Sequence, residues 1–283
     1  MPIRLIALDI DGTLLNSKWE VSAANRVAIA EATARGVEVA LVTGRRYDFA
    51  MLAAAQIESP LTMIVNNGAL IRTKDGTTQL RHLLPRETAL RVLQATLPWR
   101  DAASVVFDRP KANQVMLESI RWDDSLRSAY YSRNREYLGE ANPLERSLTE
   151  DPIQIMFAGS VAPMIKAEQV LRTVPFATDI ALAVTRYAEK DFSMIDVIHP
   201  RVSKGATLAE WAALQNLSPS DILAIGDNHN DLEMLSFAGL PVVMGNCVPE
   251  LRCRGWHVTS SNDEDGVAEA IRRFVLSETA ECA

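Results

Sequence analysis

Hydrophobic positions in the first part of the chain alternate between two kinds of pattern. Short apolar runs predict buried strands over 5–8, 37–42 and 61–65. Between these runs, apolar residues recur at helical spacing, which predicts helices over 21–35 and 47–55. Ser22 is placed to cap the first helix, and Gly36 is placed to end it. The order strand, helix, strand, helix, strand is typical of a parallel sheet, so the pattern predicts an α/β fold.

The pattern changes in the middle of the chain. Helical and strand-like segments alternate less regularly here, a polar helix is predicted over 123–137, and no predicted strand ends in a cluster of reactive side chains. From residue 193 the earlier pattern resumes, with buried strands predicted over 193–198, 222–225 and 241–244. We therefore interpret residues 84–190 as an inserted α+β domain. The sheet domain then consists of residues 1–83 and 191–283.

Composition restricts the possible functions without choosing one. A chain of 283 residues fits two domains, and its formal net charge of −7 argues against non-specific nucleic-acid binding. No apolar stretch is long enough to span a bilayer, and the N-terminal apolar run is too short for a secretory signal. The three cysteines, Cys247, Cys253 and Cys282, show no CxxC spacing, which favours reduced thiols and a cytoplasmic location.

Reactive side chains stand at the ends of the predicted strands or just beyond them. They form four groups: Asp9 with Asp11, Thr43 with Gly44, Lys204, and Asp227 with Asp231. Parallel strands bring such residues to one edge of the sheet, where carboxylates would repel one another. A divalent cation relieves that repulsion, and all-oxygen ligands suit Mg²⁺. Zinc is disfavoured because the sequence has no cluster of histidine and cysteine.

The motifs carry a resemblance to a known family. The stretch Asp9-Ile10-Asp11-Gly12-Thr13-Leu14-Leu15 resembles the nucleophile motif of the haloacid dehalogenase (HAD) superfamily. Four further stretches resemble its Cof-type phosphatase branch: 66–69, 202–205, 226–231 and 262–268. The resemblance extends over nearly the whole chain. It implies a Rossmann-like parallel-sheet core with a large α/β cap, residues 84–190, inserted between Thr43 and Lys204 to select the substrate.

The resemblance also implies a role for each candidate residue. Asp9 would attack phosphorus to form an aspartyl-phosphate, and Asp11 would act as general acid and then as general base. Mg²⁺ would be held by the Asp9 carboxylate, the Asp11 backbone carbonyl and Asp227. The remaining candidates support these: Lys204, Thr43 and Gly44 would stabilise the transferring phosphoryl group, Asn230 would contact substrate phosphate, and Asp231 would orient the site from behind.

The expected activity is therefore Mg²⁺-dependent hydrolysis of small phosphorylated metabolites, foremost sugar phosphates. Two alternatives stay open at this point. A phosphomutase of the phosphomannomutase kind would use the same core and move phosphate within a sugar. A non-catalytic sensor of phosphorylated metabolites would bind without turnover, although it would have no need of the acid–base residue Asp11. No nucleic-acid or membrane partner is expected, and the cap decides which phosphate ester is used.

Overall fold

The computed structural model describes residues 2–277, which form helices and strands in alternation. The strands are β1 (Leu5–Leu8), β2 (Glu38–Val42), β3 (Thr62–Val65), β4 (Leu70–Thr73), β5 (Thr78–Arg81), β6 (Ala103–Val106), β7 (Val115–Leu117), β8 (Leu138–Glu140), β9 (Gln154–Gly159), β10 (Ala181–Tyr187), β11 (Phe192–Ile198), β12 (Ile222–Gly226), β13 (Leu240–Val243) and β14 (His257–Val258). The helices are α1 (Ala23–Ala34), α2 (Tyr47–Ala54), α3 (Arg86–Ala95), α4 (Ser128–Arg133), α5 (Val161–Thr173), α6 (Lys204–Leu214), α7 (Leu232–Phe237), α8 (Pro249–Arg252) and α9 (Gly266–Ile271).

Two compact units make up the chain. The first, the core unit, contains the residues up to Arg81 and those from Ser203 onward. The second, the cap unit, is His82–Val202. The predicted α/β class with a second α+β unit agrees with this architecture.

The return boundary lies later than the sequence pattern predicted. We expected the inserted domain to end at residue 190, with the strand over 193–198 belonging to the parallel sheet. Instead β11 pairs antiparallel with β10 and β9, so it lies inside the cap sheet. Its alternating burial is that of a strand with one face on a core, whereas the central core strands β1 and β12 are buried throughout.

The core unit is built on an eight-stranded sheet in the order β14-β13-β12-β1-β2-β3-β4-β5. The strands from β14 to β3 run parallel, and the hairpin β4–β5 adds an antiparallel edge. Leu208 and Trp211 of α6 pack with Met234 and Leu235 of α7 against one face of the sheet. Ser22 accepts a backbone N–H at the start of α1, as predicted, and Ser203 does the same at the start of α6.

The cap unit has a six-stranded sheet in the order β10-β11-β9-β6-β7-β8. Helices α3 and α5 cover one face, where Phe157 and Ile195 pack with Val92 and Leu171. The polar helix predicted over 123–137 is shorter than expected, because only α4 and a 3₁₀ turn at Arg135–Tyr137 are helical.

Two predictions about membranes and thiols can be compared with the structure. Within residues 2–277, no helix combines the length and apolar character needed to cross a membrane. Cys247 and Cys253 are both free thiols, buried and exposed respectively. Cys282 lies outside the described residues.

Candidate active site

Strand register brings the predicted reactive residues to one edge of the core sheet. Leu8 is aligned with Leu41 of β2 and with Ile225 of β12. The residues that follow these three positions therefore leave the sheet side by side. They are Asp9, then Val42 and Thr43, then Gly226 and Asp227. This edge is formed by the carboxyl ends of parallel strands, where α/β sheets bind ligands.

Lys204, in the first turn of α6, joins two of the carboxylates. Its Nζ lies 2.6 Å from Asp9 Oδ1 and 2.7 Å from Asp231 Oδ1, and all three side chains are buried. The other oxygen of Asp231 accepts the backbone N–H groups of Asp227 and Asn228 at 3.0 and 3.1 Å. The two oxygens of Asp231 thus hold Lys204 and the β12–α7 turn. These contacts are compatible with the supporting role that the resemblance implies for Asp231, which stays a prediction.

Two glycines let the carboxylates approach the backbone. Gly12 has φ +80°, and a Cβ placed there would stand 2.4 Å from Asp227 Oδ2. A Cβ on Gly226 would stand 2.7 Å from the Cβ of Asp231. Real Cβ atoms do not come that close to other heavy atoms, so any side chain at either position would displace an aspartate. Thr13 adds a hydrogen bond to Asp227 Oδ1 at 3.3 Å.

Burial and mutual repulsion set the ionisation of these groups. Burial, followed by the charge of Asp231, raises the pKa of Asp9 well above its ordinary value and that of Asp227 to about 7. Burial opposes the charge on Lys204, but the carboxylates of Asp231 and Asp9 outweigh it and raise the pKa of Lys204. One buried cation therefore faces three buried carboxylates, and the excess negative charge is not balanced by protein groups in the cluster.

The donor set fits a hard divalent cation. Asp9, Asp227 and Asp231 each offer a carboxylate oxygen, and these atoms lie within 4.8 Å of one another. Asp9 Oδ2 and Asp227 Oδ2 accept no hydrogen bond from the described residues, so both are available as ligands. All-oxygen ligands suit Mg²⁺, and a second positive charge would offset the excess negative charge of the cluster. His229, within the same loop, is exposed and lies 3.9 Å from Glu250.

Thr43 and Gly44 lie beside the loop that follows β3. Thr43 is buried, and its Oγ1 accepts the backbone N–H of Arg45 at 3.1 Å, which leaves the hydroxyl proton for an outside acceptor. A Cβ on Gly44 would stand 2.9 Å from Asn67 Oδ1. Asn67 has φ +57° and Gly68 has φ +105°, as is typical of an Asn-Gly turn. The Asn67 side chain on this turn therefore lies close to Gly44, one of the predicted phosphate-binding residues.

Two predicted residues lie at the margin of the cluster. Asn230 is half-buried in the 3₁₀ turn before α7. The Asp11 side chain is 44% exposed and is held by Arg45, which donates two hydrogen bonds to its carboxylate. Sequence reasoning missed Arg45. The available signal was a positively charged residue directly after Thr43 and Gly44, at the end of a strand where carboxylates and phosphate are expected.

Comparison with known proteins agrees with this geometry. The chain matches the family of haloacid dehalogenase-like hydrolases over residues 6–271. It is 30% identical to the putative phosphatase YxeH of Bacillus subtilis, covering 97% of this chain and 99% of that protein. It is 28% identical to 5-amino-6-(5-phospho-D-ribitylamino)uracil phosphatase YwtE of the same organism, covering 98% and 100%. A haloacid dehalogenase-like hydrolase from Bacteroides thetaiotaomicron superposes with TM-score 0.78 at 25% identity, covering 96% and 99%.

The chain therefore belongs to the haloacid dehalogenase-like hydrolase family. The resemblance to the Cof-type phosphatases and the predicted Rossmann-like core with an inserted cap are confirmed. The prediction of an enzyme, a phosphatase that hydrolyses phosphoric monoesters, is confirmed at the same level.

Proposed function

We propose that this protein is an Mg²⁺-dependent phosphatase that hydrolyses small phosphorylated metabolites, foremost sugar phosphates, through an aspartyl-phosphate on Asp9. The observation that carries the proposal is the buried cluster in which Lys204 bridges Asp9 and Asp231 beside Asp227. A purely structural cluster would leave this excess of negative charge unexplained, because buried charge is costly unless it is compensated.

In the first step the Asp9 carboxylate attacks phosphorus. A bond forms between an Asp9 oxygen and phosphorus while the ester P–O bond breaks, and the leaving oxygen takes the electron pair and a proton from Asp11. Lys204, 2.6 Å from Asp9, keeps a positive charge beside the transferring group. Thr43 and the amide of Gly44 donate to the phosphoryl oxygens, with Asn230 at the substrate phosphate.

In the second step Asp11, now a carboxylate, removes a proton from water as the water attacks phosphorus. The bond to Asp9 breaks and inorganic phosphate leaves. Asp9, Asp227 and the backbone carbonyl of Asp11 would hold Mg²⁺. When bound, that ion supplies charge that offsets the repulsion between the nucleophile and an anionic phosphate.

The choice of phosphate ester belongs, in our proposal, to the cap unit. The named relatives include a phosphatase whose substrate is a phosphorylated ribitylaminouracil, which supports a small phosphorylated metabolite as the substrate class. The core residues recognise the phosphoryl group that all such esters share. Discrimination between leaving groups must therefore come from other residues, and the cap unit provides a separate surface for it. The two free thiols support a reducing compartment, and we propose a cytoplasmic location.

A phosphate-release screen tests the proposal. The protein, freed of metal with EDTA, is assayed with Mg²⁺, with Ca²⁺ and without metal against sugar phosphates, nucleotides, pyridoxal phosphate and flavin mononucleotide. We expect turnover that requires Mg²⁺ and is poorly restored by Ca²⁺, because calcium takes more ligands in a looser geometry. Product identity separates hydrolysis from phosphate transfer within a sugar.

Two outcomes would contradict the proposal. Unchanged rates after complete chelation would exclude the metal site, and an isomerised sugar phosphate without free phosphate would identify a mutase. Asp101→Asn is a matched control for the site aspartates, because this cap-unit side chain is 79% exposed. It should leave the rate and its metal requirement unchanged.

A further inference from the structure

Arg45 binds the carboxylate of Asp11, to which the proposed mechanism assigns proton transfer. Its Nε donates to Asp11 Oδ2 at 2.8 Å and its Nη2 donates to Asp11 Oδ1 at 2.6 Å. This two-bond fork fixes the plane of the carboxylate as well as its position. The partners differ sharply in exposure, because the Arg45 side chain is 6% exposed and that of Asp11 is 44% exposed. The arginine is therefore the fixed partner of the pair.

Aromatic rings hold the guanidinium from two elements. Its Cζ lies 4.5 Å from the ring centroid of Phe49 in α2 and 5.1 Å from that of Trp19. Arg45 Nη1 also donates to the Phe49 carbonyl at 3.4 Å. A guanidinium over aromatic rings is attracted to their faces and loses little when it is shielded from water. These contacts keep Arg45 in place if Asp11 rotates.

Trp19 reaches the arginine from a short flap, residues 12–20, in a conformation that the chain must enforce. Its φ is +65°, which is unusual for a bulky side chain, and the side chain is 58% exposed. Asn16 builds the turn: its Oδ1 accepts the backbone N–H groups of Lys18 and Glu20, and its carbonyl accepts that of Trp19. A strained residue held in this way is a reason to look for function.

The C-terminal motif of the core unit anchors the same flap. Asn262 donates to the Leu15 carbonyl at 2.8 Å, and Asp263 accepts the backbone N–H of Ser17 at 2.7 Å. Asn246 donates to the Gly12 carbonyl at 2.8 Å. The stretch 262–268 resembles the Cof-type branch, but the sequence predicted no role for it. In the structure it holds the flap that places Trp19 over the arginine.

We propose that Arg45 is the positioning residue of the acid–base carboxylate, held for that task by Trp19 and Phe49. The inference rests on the proposed function. The fork fixes both oxygens of Asp11, and if one of the two bonds opens during proton transfer, the remaining bond keeps the carboxylate directed. In this proposal Arg45 acts through Asp11 and not on the phosphoryl group.

Leaving-group dependence tests this role. Help from a general acid matters greatly for an alkoxide leaving group and little for p-nitrophenolate. We expect Arg45→Gln to lower kcat/KM for glucose 6-phosphate by roughly 10- to 100-fold, and for p-nitrophenyl phosphate by less than about 3-fold. Arg91→Gln is the matched control. Arg91 also lies over an aromatic ring, Phe176, and pairs with the carboxylate of Asp179, but in the cap unit.

A double-mutant cycle links the effect to Asp11. In an Asp11→Asn background, Arg45→Gln should change kcat/KM by less than about 2-fold, because its partner is already disabled. The affinity for beryllium fluoride, which mimics phosphate on Asp9, should stay within about 2-fold in Arg45→Gln. Equal losses for both esters, full additivity with Asp11→Asn, or weakened beryllium fluoride binding would each overturn the inference.

A second substitution keeps the test decisive if Arg45→Gln fails to fold. Trp19→Leu leaves the arginine intact and removes only the exposed ring above it, so a smaller loss confined to glucose 6-phosphate is expected. A loss shared equally by both esters would again overturn the inference. A wild-type protein that is inactive toward both esters and toward the whole screening panel would contradict the proposed function itself. If the wild-type protein is active but Arg45→Gln lowers kcat/KM equally for both esters, only the positioning role is contradicted.

Discussion

The two units of this protein differ in whether they bury charged side chains. Among the described residues, the charged side chains that are at most 9% exposed all lie in the core unit; they are Asp9, Arg45, Arg46, Lys204, Asp221, Asp227 and Asp231. The polar side chains buried to the same degree in the cap unit are uncharged, for example Gln154, Asn134 and Ser193. Buried charge costs stability unless partners compensate it. Its concentration in one unit supports our proposal that the core unit carries the chemistry.

The cap sheet has a different design. Its Ile195 and Val197 face the covering helices, so the alternate positions Met194 and Asp196 project from the opposite face. Asp196 accepts a hydrogen bond from Gln154 Nε2 at 2.7 Å and is half-buried. Changes to Asp9 or Lys204 in the core should therefore depress all substrates alike, and changes on this face of the cap should alter their ranking.

Removing the nucleophile should have the largest effect. Asp9→Asn keeps the shape of the side chain and removes the attacking oxygen, so we expect kcat to fall by about 10⁴-fold or more for every substrate. Phosphate release measured across the screening panel checks this, with thermal unfolding to verify the fold. Residual activity well above background, or a loss limited to some esters, would contradict the assignment of Asp9.

Removing the acid–base carboxylate should have the next largest effect. Asp11→Asn should lower kcat/KM for alkyl phosphates by roughly 10²–10⁴-fold, because general acid–base help is lost. Competition with beryllium fluoride should show that the phosphoryl site still binds. If Asp11→Asn turned over alkyl phosphates at the wild-type rate, the proton would have to come from another group.

A third prediction concerns the stability cost of buried charge in the core. The pKa of Asp227 is about 7 in the folded protein, against 3.8 as the ordinary value, so the folded state binds more protons between these limits. The metal-free protein should therefore lose stability as pH rises from about 4 to about 7. Asp227→Asn should raise its free energy of unfolding at pH 8 by on the order of 2 kcal/mol, and by less at pH 5.

Urea unfolding in EDTA at both pH values measures this difference. Asp101→Asn, which changes an exposed aspartate, should shift the unfolding curve at neither pH. Added Mg²⁺ should reverse the order at pH 8, because the wild-type carboxylate then has a partner that the amide lacks. A variant that is no more stable than wild type without metal would mean that the repulsion is relieved in some other way.

The smallest effect is expected in the cap unit. Asp196→Ala should change the ratio of kcat/KM between two sugar phosphates by about three- to tenfold, while p-nitrophenyl phosphate changes little. Lys166→Ala, on the exposed side of α5, is the control and should leave every ratio unaltered. An unchanged ranking in Asp196→Ala would place specificity elsewhere than on this face. Any truncation that tests the whole cap should remove residues 82–202, because cutting at 190 would leave β11 without its partner strands.

Local signals in the sequence predicted the core well, for physical reasons. Continuous apolar runs are typical of strands buried on both faces, and the residues just after them must lie at one edge of a parallel sheet. That rule predicts from the sequence alone that Asp9, Thr43 and Asp227 lie close together. The same reasoning failed at the end of the insertion, because a run of seven residues can join either of two sheets. Only pairing partners decide between them.

What the sequence by itself determined is the set of chemical groups and their order: two aspartates, a threonine, a lysine and two more aspartates, each tied to a strand end or helix start. What only the tertiary structure decided is which of them contact each other. Lys204 bonds to Asp9 and Asp231 across separations of 195 and 27 residues, and Asp11 pairs with Arg45 across 34. Such contacts depend on the register of neighbouring strands and on glycines that let side chains approach the backbone closely. Hydrophobic periodicity carries no information about either, because it records which face is buried and not which side chains meet.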